Sequence, residues 1–505
     1  MQLKMTKKPQ KKTQKNPAEI LPFLFYPAKT KAEEAWRTNL IKAGKIRKIG
    51  PRLYTSLPAS EVESFVRGQW SEIVSELFPD ALLSHRSALE FKPSSANEIF
   101  LTSTTNRKIE FPGLILSFIR GPKALTDDSP FRNFRASSIP RAMLENLSSS
   151  KTTARRSVAK EDLEKRLGSL LDTKGEKELN LIRSRARTIA KKLGWHREFQ
   201  KLDALIGALL GTKKASQLIT ASGRARARGE PYDSTRTERF DLLFSDLKTK
   251  PLSVLKEISK TKDHNRNKAF FEAYFSNYIE GTTFEIEEAE EIIFDKKIPE
   301  QRPRDAHDIL GTYNIVSNAN EMSRVPKSLD DLEQVIKSHH GALMSGRPDV
   351  TPGEYKNQPN RAGDTHFVHP DFIRGTLKEG FVRYTALPVG LPRAIFIMFL
   401  VAEVHPFVDG NGRIARIMMN AELFSEGLTT IIIPTVYRED YLSALKALTR
   451  RDRPDPLIRM LVRAQQISNL EFSPYKKILE HLETHNWLRE PSEAKLIESN
   501  LKTRK

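Results

Sequence analysis

Between Ile395 and Met419 the sequence admits few folds. Ile395–Ala402 is an unbroken apolar run, HPFVDGNGRIAR follows from His405 to Arg416, and Ile417-Met418-Met419 resumes the apolar pattern. A buried helix must therefore end at His405, turn tightly on glycines, and give way to a second helix near Arg413. Gly410 and Gly412 are expected to take left-handed dihedrals, so that successive backbone N–H groups converge on one point. The first turn of the second helix adds unpaired N–H groups and the positive end of its dipole, which makes the turn an anion cradle suited to phosphate. Arg413 and Arg416 lie three apart on one helix face and are expected to reach into it. Asp409, a lone carboxylate among cations, suits Mg²⁺, which takes one or two carboxylates plus phosphate oxygens. His405 is the one group here that can accept a proton near neutral pH.

His405, Phe407, Asp409, Gly410, Asn411, Gly412, Arg413 and Arg416 resemble the Fic family signature HxFx(D/E)GNGRxxR at every fixed position. The resemblance implies an all-helical catalytic domain with a β-hairpin flap, over 236–475. It further implies a nucleotidyltransferase, a protein adenylyltransferase that moves AMP from ATP to a Ser, Thr or Tyr hydroxyl of a target protein. On that reading His405 is the base, and Gly410, Asn411 and Gly412 hold the phosphates, with Asn411 donating to the α-phosphate. Arg413 and Arg416 clamp the far phosphates, Asp409 holds Mg²⁺, and Phe407 packs the turn. Ser276, Glu280 and Gly281 resemble the family's inhibitory motif (S/T)xxxE(G/N) in its class II arrangement, which implies that Glu280 occupies Arg416 and restrains the enzyme. Residues 345–370, with Tyr355 and Lys356, match the flap that pairs with a target's backbone as an added strand. Tyr441 is implied to lie against the base. Leu442 and Thr449 stand where relatives often carry a second tyrosine and an asparagine, so the resemblance leaves the choice of nucleotide open.

A chain of 505 residues exceeds one hydrophobic core and is expected to form two to four domains. It has no cysteine, which excludes disulfides, thiolate metal sites and thiol catalysis and fits a reducing, cytoplasmic setting. No apolar run approaches the roughly 18 residues of a membrane span, and the Lys-rich start lacks a signal peptide's apolar segment. The formal charge of +20 implies a polyanionic partner or merely a basic surface.

Residues 1–20, rich in lysine and poor in apolar side chains, are expected to be a disordered basic arm. Thr30 to Glu33 has capping-box spacing and opens a helix through Trp36, Leu40 and Ile41. The basic stretch from Lys45 to Tyr54 then reads as two short strands about a Gly-Pro turn, so that 21–60 is expected to be winged-helix-like and to face DNA. A second capping box, Ser60 to Glu63, is expected to start a helix running past Trp70. LIKAGKIRKIGPRLYTSL, the helix near Trp70, LLSHRSALE at 82–90, and the strand-like Glu98–Thr102 and Gly113–Phe118 resemble the AbiEi antitoxin and regulator family. This implies a winged helix followed by an α/β region over 61–125, and autorepression in a toxin–antitoxin setting. A linker and helical region is expected over 126–235 and a frayed tail over 476–505. The fold class is thus mainly α, a helical catalytic domain preceded by an α+β region.

Three other clusters carry no ligand reading. His85 is expected to be packed, the glutamates from Glu285 to Glu291 form a solvated helix face, and His339-His340 on a helix need not bind metal. Beside the enzyme stands a second class of function, a DNA-binding regulator whose Fic domain senses a ligand or removes AMP. The partners expected are ATP, a hydroxyl-bearing protein, DNA on the regulator reading, and no membrane. Homo-oligomer formation is left open by the sequence.

Overall fold

The computed structural model describes residues 22–148 and 153–490. The arm expected over 1–20, most of the polar connector after Ser148, and the tail beyond 490 lie outside them. By its contacts the chain divides into two compact units, Met1–Ala227 and Arg228–Lys505.

The first unit opens with β1 (Leu24–Phe25), α1 (Lys31–Lys42), β2 (Arg47–Gly50) and β3 (Leu53–Thr55). The three strands form one antiparallel sheet in the order β1-β3-β2. Thr30 caps α1 as its spacing requires, accepting the Glu33 N–H at 3.2 Å. Next come α2 (Ala59–Gly68) and α3 (Trp70–Leu77), two helices where one was expected, broken at Gln69. The Ser60 capping box does not form either. Pro58 sits at the cap of α2, two residues too early for Ser60 to serve, and no side chain caps it.

A six-stranded mixed sheet follows, built from β4 (Leu82–Leu83), β5 (Glu98–Ser103), β6 (Arg107–Phe111), β7 (Leu114–Arg120), β8 (Ser129–Phe131) and β9 (Phe134–Ala136) in the order β6-β7-β5-β4-β9-β8. α4 (His85–Glu90) and α5 (Ile139–Asn146) accompany it. The expected boundary at 125 therefore cuts through this sheet. Residues 129–136 supply two of its strands, and α5 is buried along nearly its whole length. Three-residue strands are too short for alternation to reveal them. After α6 (Thr153–Arg156), a helical layer of α7 (Lys160–Leu193), α8 (His196–Leu209) and α9 (Ala221–Ala227) closes the unit, with α7 interrupted at Gly175 (φ 77°). Its own core joins Leu163, Leu167, Ile182, Ile189, Leu202 and Ile206.

The second unit is helical: α10 (Ser234–Thr249), α11 (Lys262–Ile279), α12 (Ile286–Phe294), α13 (Pro303–Val316), α14 (Ala319–Met322), α15 (Leu329–Leu343), α16 (Ile373–Thr385), α17 (Leu391–Val404), α18 (Asn411–Ser425), α19 (Arg438–Arg451), α20 (Asp455–Ser468) and α21 (Tyr475–Thr484). Between α15 and α16 lies a two-stranded hairpin, β10 (Arg361–Ala362) and β11 (Thr365–His366). α17 is the axis. Ile395 to Val401 are each 1% exposed or less, because a helix apolar on every face must be wrapped on every face. The expected tail does not begin at 476. Tyr475–Thr484 is helical, and Ile478, Leu482 and Trp487 join the core, their apolar spacing hidden among lysines and glutamates. No helix among the described residues is long and apolar enough to cross a membrane.

Candidate active site

α17 ends where its apolar run ends. His405 caps it in the left-handed region (φ 53°, ψ 58°), a conformation unusual for a residue with a side chain. That backbone turn aims the imidazole sideways from the helix end. Its Nδ1 lies 3.3 Å from the Ala402 carbonyl and donates to it, leaving Nε2 as the acceptor. The Phe367 ring, just after the hairpin, stacks on the imidazole at 3.6 Å between centroids and 4° between planes. Burial and then the Lys356 ammonium push the His405 pKa down to about 4, so the ring is neutral at pH 7.

The turn after His405 is held from several sides. Asn411 accepts the Phe407 N–H at 2.8 Å and donates to the Phe407 carbonyl at 2.9 Å, and Asn360 donates to the same carbonyl at 3.0 Å. Phe407 is fully buried and stacks on His340 at 3.9 Å. His340 in turn accepts the Gly353 N–H on Nδ1 and donates from Nε2 to the Asp409 carbonyl. Asn411, expected to donate to a phosphate, is thus a buried clasp of the turn with both side-chain ends engaged.

Gly410 has the expected positive φ of 76°, and α18 begins directly after it at Asn411, two residues before the expected Arg413. Gly412 does not share the left-handed geometry and lies in the first turn of α18. Its lack of a side chain matters for space. A Cβ there would stand 2.2 Å from Glu280 Oε1 and 3.2 Å from Arg416 Nη1.

The two arginines point to different partners. Arg413, 2% exposed, bonds Asp308 at 2.6 Å and Asn277 at 3.2 Å. Arg416 bonds the Ser276 hydroxyl at 3.0 Å, the Ser276 carbonyl at 2.8 Å and Glu280 Oε1 at 2.8 Å. It also lies over the Tyr441 ring. Ser276 is on α11 and Glu280 caps that helix, followed by Gly281 at φ 94°. Among the predicted residues, Glu280, His405, Gly412, Arg416 and Tyr441 line one cavity of about 230 Å³.

Asp409 stands outside that lining, its carboxylate 44% exposed, 3.4 Å from Arg347 and 3.8 Å from Arg413. No group of three or more His, Cys, Asp or Glu able to hold a metal occurs among the described residues. A single half-exposed carboxylate fits a hard cation completed by phosphate oxygens and water.

Tyr355 and Lys356 are not on the hairpin, which lies at 361–366. Lys356 is 3% exposed and donates to the His405 carbonyl and to Asn360, each at 2.7 Å. Burial and then Arg236 push its pKa down to about 7. Tyr355 packs near Phe407, its hydroxyl towards Glu333. Both support the turn from behind, and the exposed edge belongs to Arg361–His366. Sequence reasoning missed Asp308, Asn277, Asn360, Phe367, His340 and Arg347. Their only trace is a polar residue at a helical position that apolar spacing would reserve for the core, as at Asp308 and His340.

Residues 328–423 match the Fic/DOC family model, so the chain carries a Fic domain; Ser276 and Glu280 precede the matched segment. The chain is 27% identical over 216 residues to the protein adenylyltransferase Fic of Drosophila melanogaster, covering 41% of this chain and 43% of that protein. The protein of the same name from Drosophila persimilis is 26% identical over 216 residues, covering 41% of this chain and 42% of its own length. The chain thus spans less than half of these curated relatives. Among solved structures, C. elegans Fic-1 (aa134 - 508) is 16% identical with a TM-score of 0.37, covering 64% of this chain and 97% of that one.

Proposed function

We propose that the chain is a protein adenylyltransferase, transferring AMP from ATP to a Ser, Thr or Tyr hydroxyl of a target protein, and that Glu280 restrains it. One observation carries this reading: a neutral imidazole, a helix N-terminus opened by Gly410, and a buried arginine held by a carboxylate share one small cavity beside an exposed hairpin. The chemistry asks for little covalent help from the protein and much positioning of charge. The target hydroxyl attacks the α-phosphorus of ATP, a new P–O bond forms, the bond to the bridging oxygen breaks, and pyrophosphate leaves. His405 Nε2 takes the hydroxyl proton, its ring fixed by Ala402 and Phe367. N–H groups of the first turn of α18, free of intrahelical acceptors, receive the charge that builds on the phosphate oxygens. Asp409 would hold Mg²⁺, which supplies charge neutralisation to the phosphates. Arg416, released from Glu280, clamps the far phosphates, and Tyr441 flanks the base. The edge at 361–366 accepts the target's backbone as an added strand.

The test uses the full chain with labelled ATP and Mg²⁺. Glu280→Gly is expected to raise labelling of itself or a target at least several-fold over the parent, and His405→Ala on that background to abolish it. Labelling that persists without His405 removes the base assignment, and equal labelling with and without Glu280 removes the restraint.

A second reading rests on the exposed cations Lys45, Arg47, Lys48 and Arg52 around the β2–β3 hairpin behind α1. Such a surface suits a phosphate backbone, and the chain would then also regulate transcription. Binding of promoter DNA that weakens steeply with salt and is lost on deleting residues 1–60 supports it.

A further inference from the structure

Between the six-stranded sheet of the first unit and α8 lies a cavity of about 190 Å³, whose wall includes His85, Thr102, Glu145, Arg156, Trp195 and Glu198. This is below the roughly 300–1,000 Å³ that drug-sized ligands fill, so whatever it takes is small. Thr102 comes from β5, His85 opens α4, and Arg156 ends α6.

His85 is held there in a way that packing alone does not require. Its φ of 54° lies in the left-handed region, where a residue with a side chain is strained. Glu145 Oε2 accepts its backbone N–H at 2.8 Å. Thr102 donates to the Ser84 hydroxyl at 2.8 Å, and Ser84 Oγ lies 3.0 Å from His85 Nδ1. The Ser84 oxygen already receives one proton, so its own goes to Nδ1 and the ring proton sits on Nε2. Ser84, Thr102 and His85 are each at most 8% exposed. Burial, then Arg156, then Arg141 push the His85 pKa down to about 3, so the ring is neutral. The arrangement is the reverse of His405, whose Nε2 accepts. At His85 a buried N–H is turned to the cavity, and it has no partner among the described residues.

The charges that act on this ring are both cationic, Arg156 and then Arg141. Of the two carboxylates on the cavity wall, Glu145 is tied to Arg141 at 2.9 Å, to Ser137 at 3.0 Å and to the His85 N–H. Glu198, the other, is partly exposed to water. An N–H donor beside a guanidinium is the partner set of an oxyanion.

We propose that this cavity is a second ligand site, where a small molecule is held by an oxyanion group, phosphate or carboxylate, that accepts from His85 Nε2 and pairs with Arg156. The site lies wholly within the first unit and does not depend on nucleotide transfer. Ser84 and Thr102 touch no ligand; they fix the ring proton on Nε2 and are positioning residues.

The experiment titrates the full chain with inorganic phosphate and, separately, with acetate, and reads the fluorescence change that Trp195→Phe removes. A saturable change with either anion is expected; phosphate alone points to a phosphate ester as the ligand, acetate alone to a carboxylate. His85→Leu should weaken binding by about ten-fold or more, the worth of one hydrogen bond to a charged group. His85→Gln, whose amide can bring an N–H to the place of Nε2, should recover part of it. Thr102→Val frees Ser84 to accept from the ring, so that Nε2 can lose its proton. Binding should then fall although no ligand contact is removed, and Thr102→Ser should keep it. If His85→Leu fails to fold, Arg156→Gln decides, with a loss of the same size expected. No saturable change with either anion, or an affinity unaltered by these substitutions, overturns the inference and leaves nucleotide transfer standing.

Discussion

Arg413 and Arg416 lie one helical turn apart on α18 and are anchored in opposite ways. Around Arg413 everything is sealed: the Arg413 and Asp308 side chains are 2% and 0% exposed, and Asp308 also takes Arg347 at 2.5 Å. Around Arg416 the carboxylate comes from the residue that caps the end of α11, its side chain 31% exposed and followed by a glycine in the left-handed region. A buried ion pair cannot open without stranding a charge in a low dielectric. A carboxylate at a frayable helix end can swing into water. Two arginines of one signature are therefore anchored differently, one in a sealed pair and the other in a contact that, on the proposed function, opens.

The largest expected effect tests the sealed side. Asp308→Ala should lower stability by about 3–5 kcal/mol, because Arg413 is left buried with its main partner gone. A urea midpoint shifted by the equivalent of less than about 1 kcal/mol would erase the contrast. Ser276→Ala comes next, at about 1 kcal/mol for one lost hydrogen bond to Arg416. Glu280→Gly should cost about 1 kcal/mol or less, since its partly exposed pair is screened by solvent, while adenylyl transfer rises. A stability loss as large as that of Asp308→Ala would make both arginines structural.

A last effect is set by pH. Burial pushes both His405 and His340 down to about 4 from an ordinary value of 6.5. Between those values the unfolded chain binds protons that the native state refuses. Stability therefore falls as pH drops from 6.5 toward 4 and does not depend on these groups above 6.5. Urea midpoints at pH 7.5 and pH 5.0 should show the loss, and His340→Asn should reduce it. The neutral His405 also predicts that the acid limb of transfer lies well below pH 6.5.

Much of this contrast was beyond the reach of the sequence. The twelve residues from His405 to Arg416 are local, so the turn, the left-handed Gly410 and the helix after it could be read from spacing alone. Glu280 was reached because its motif has a fixed spacing and its partner lies in the signature. Asp308 stands 105 residues from Arg413, in α13, and no periodicity connects them. The hairpin falls within the expected 345–370, but Tyr355 and Lys356 lie ahead of it, because two-residue strands carry no alternation and a buried lysine looks like a loop cation. Thr449 was noticed as a departure from relatives, but its hydroxyl donates to Glu403, 46 residues away. In the first unit the basic hairpin was legible from its Gly-Pro turn. The strands at 129–136 were not, since pairing across the sheet alone defines them.

Gly412 has a consequence of its own. The space above its α-carbon is the parking place of the Glu280 carboxylate, and a single methyl group would fill it. Alanine at 412 would act as a wedge against the Glu280 carboxylate and, on the proposed function, would also crowd the backbone that a phosphate approaches. If the chain works as proposed, the absent side chain serves the restrained state and the active one at once, and no larger residue could satisfy both.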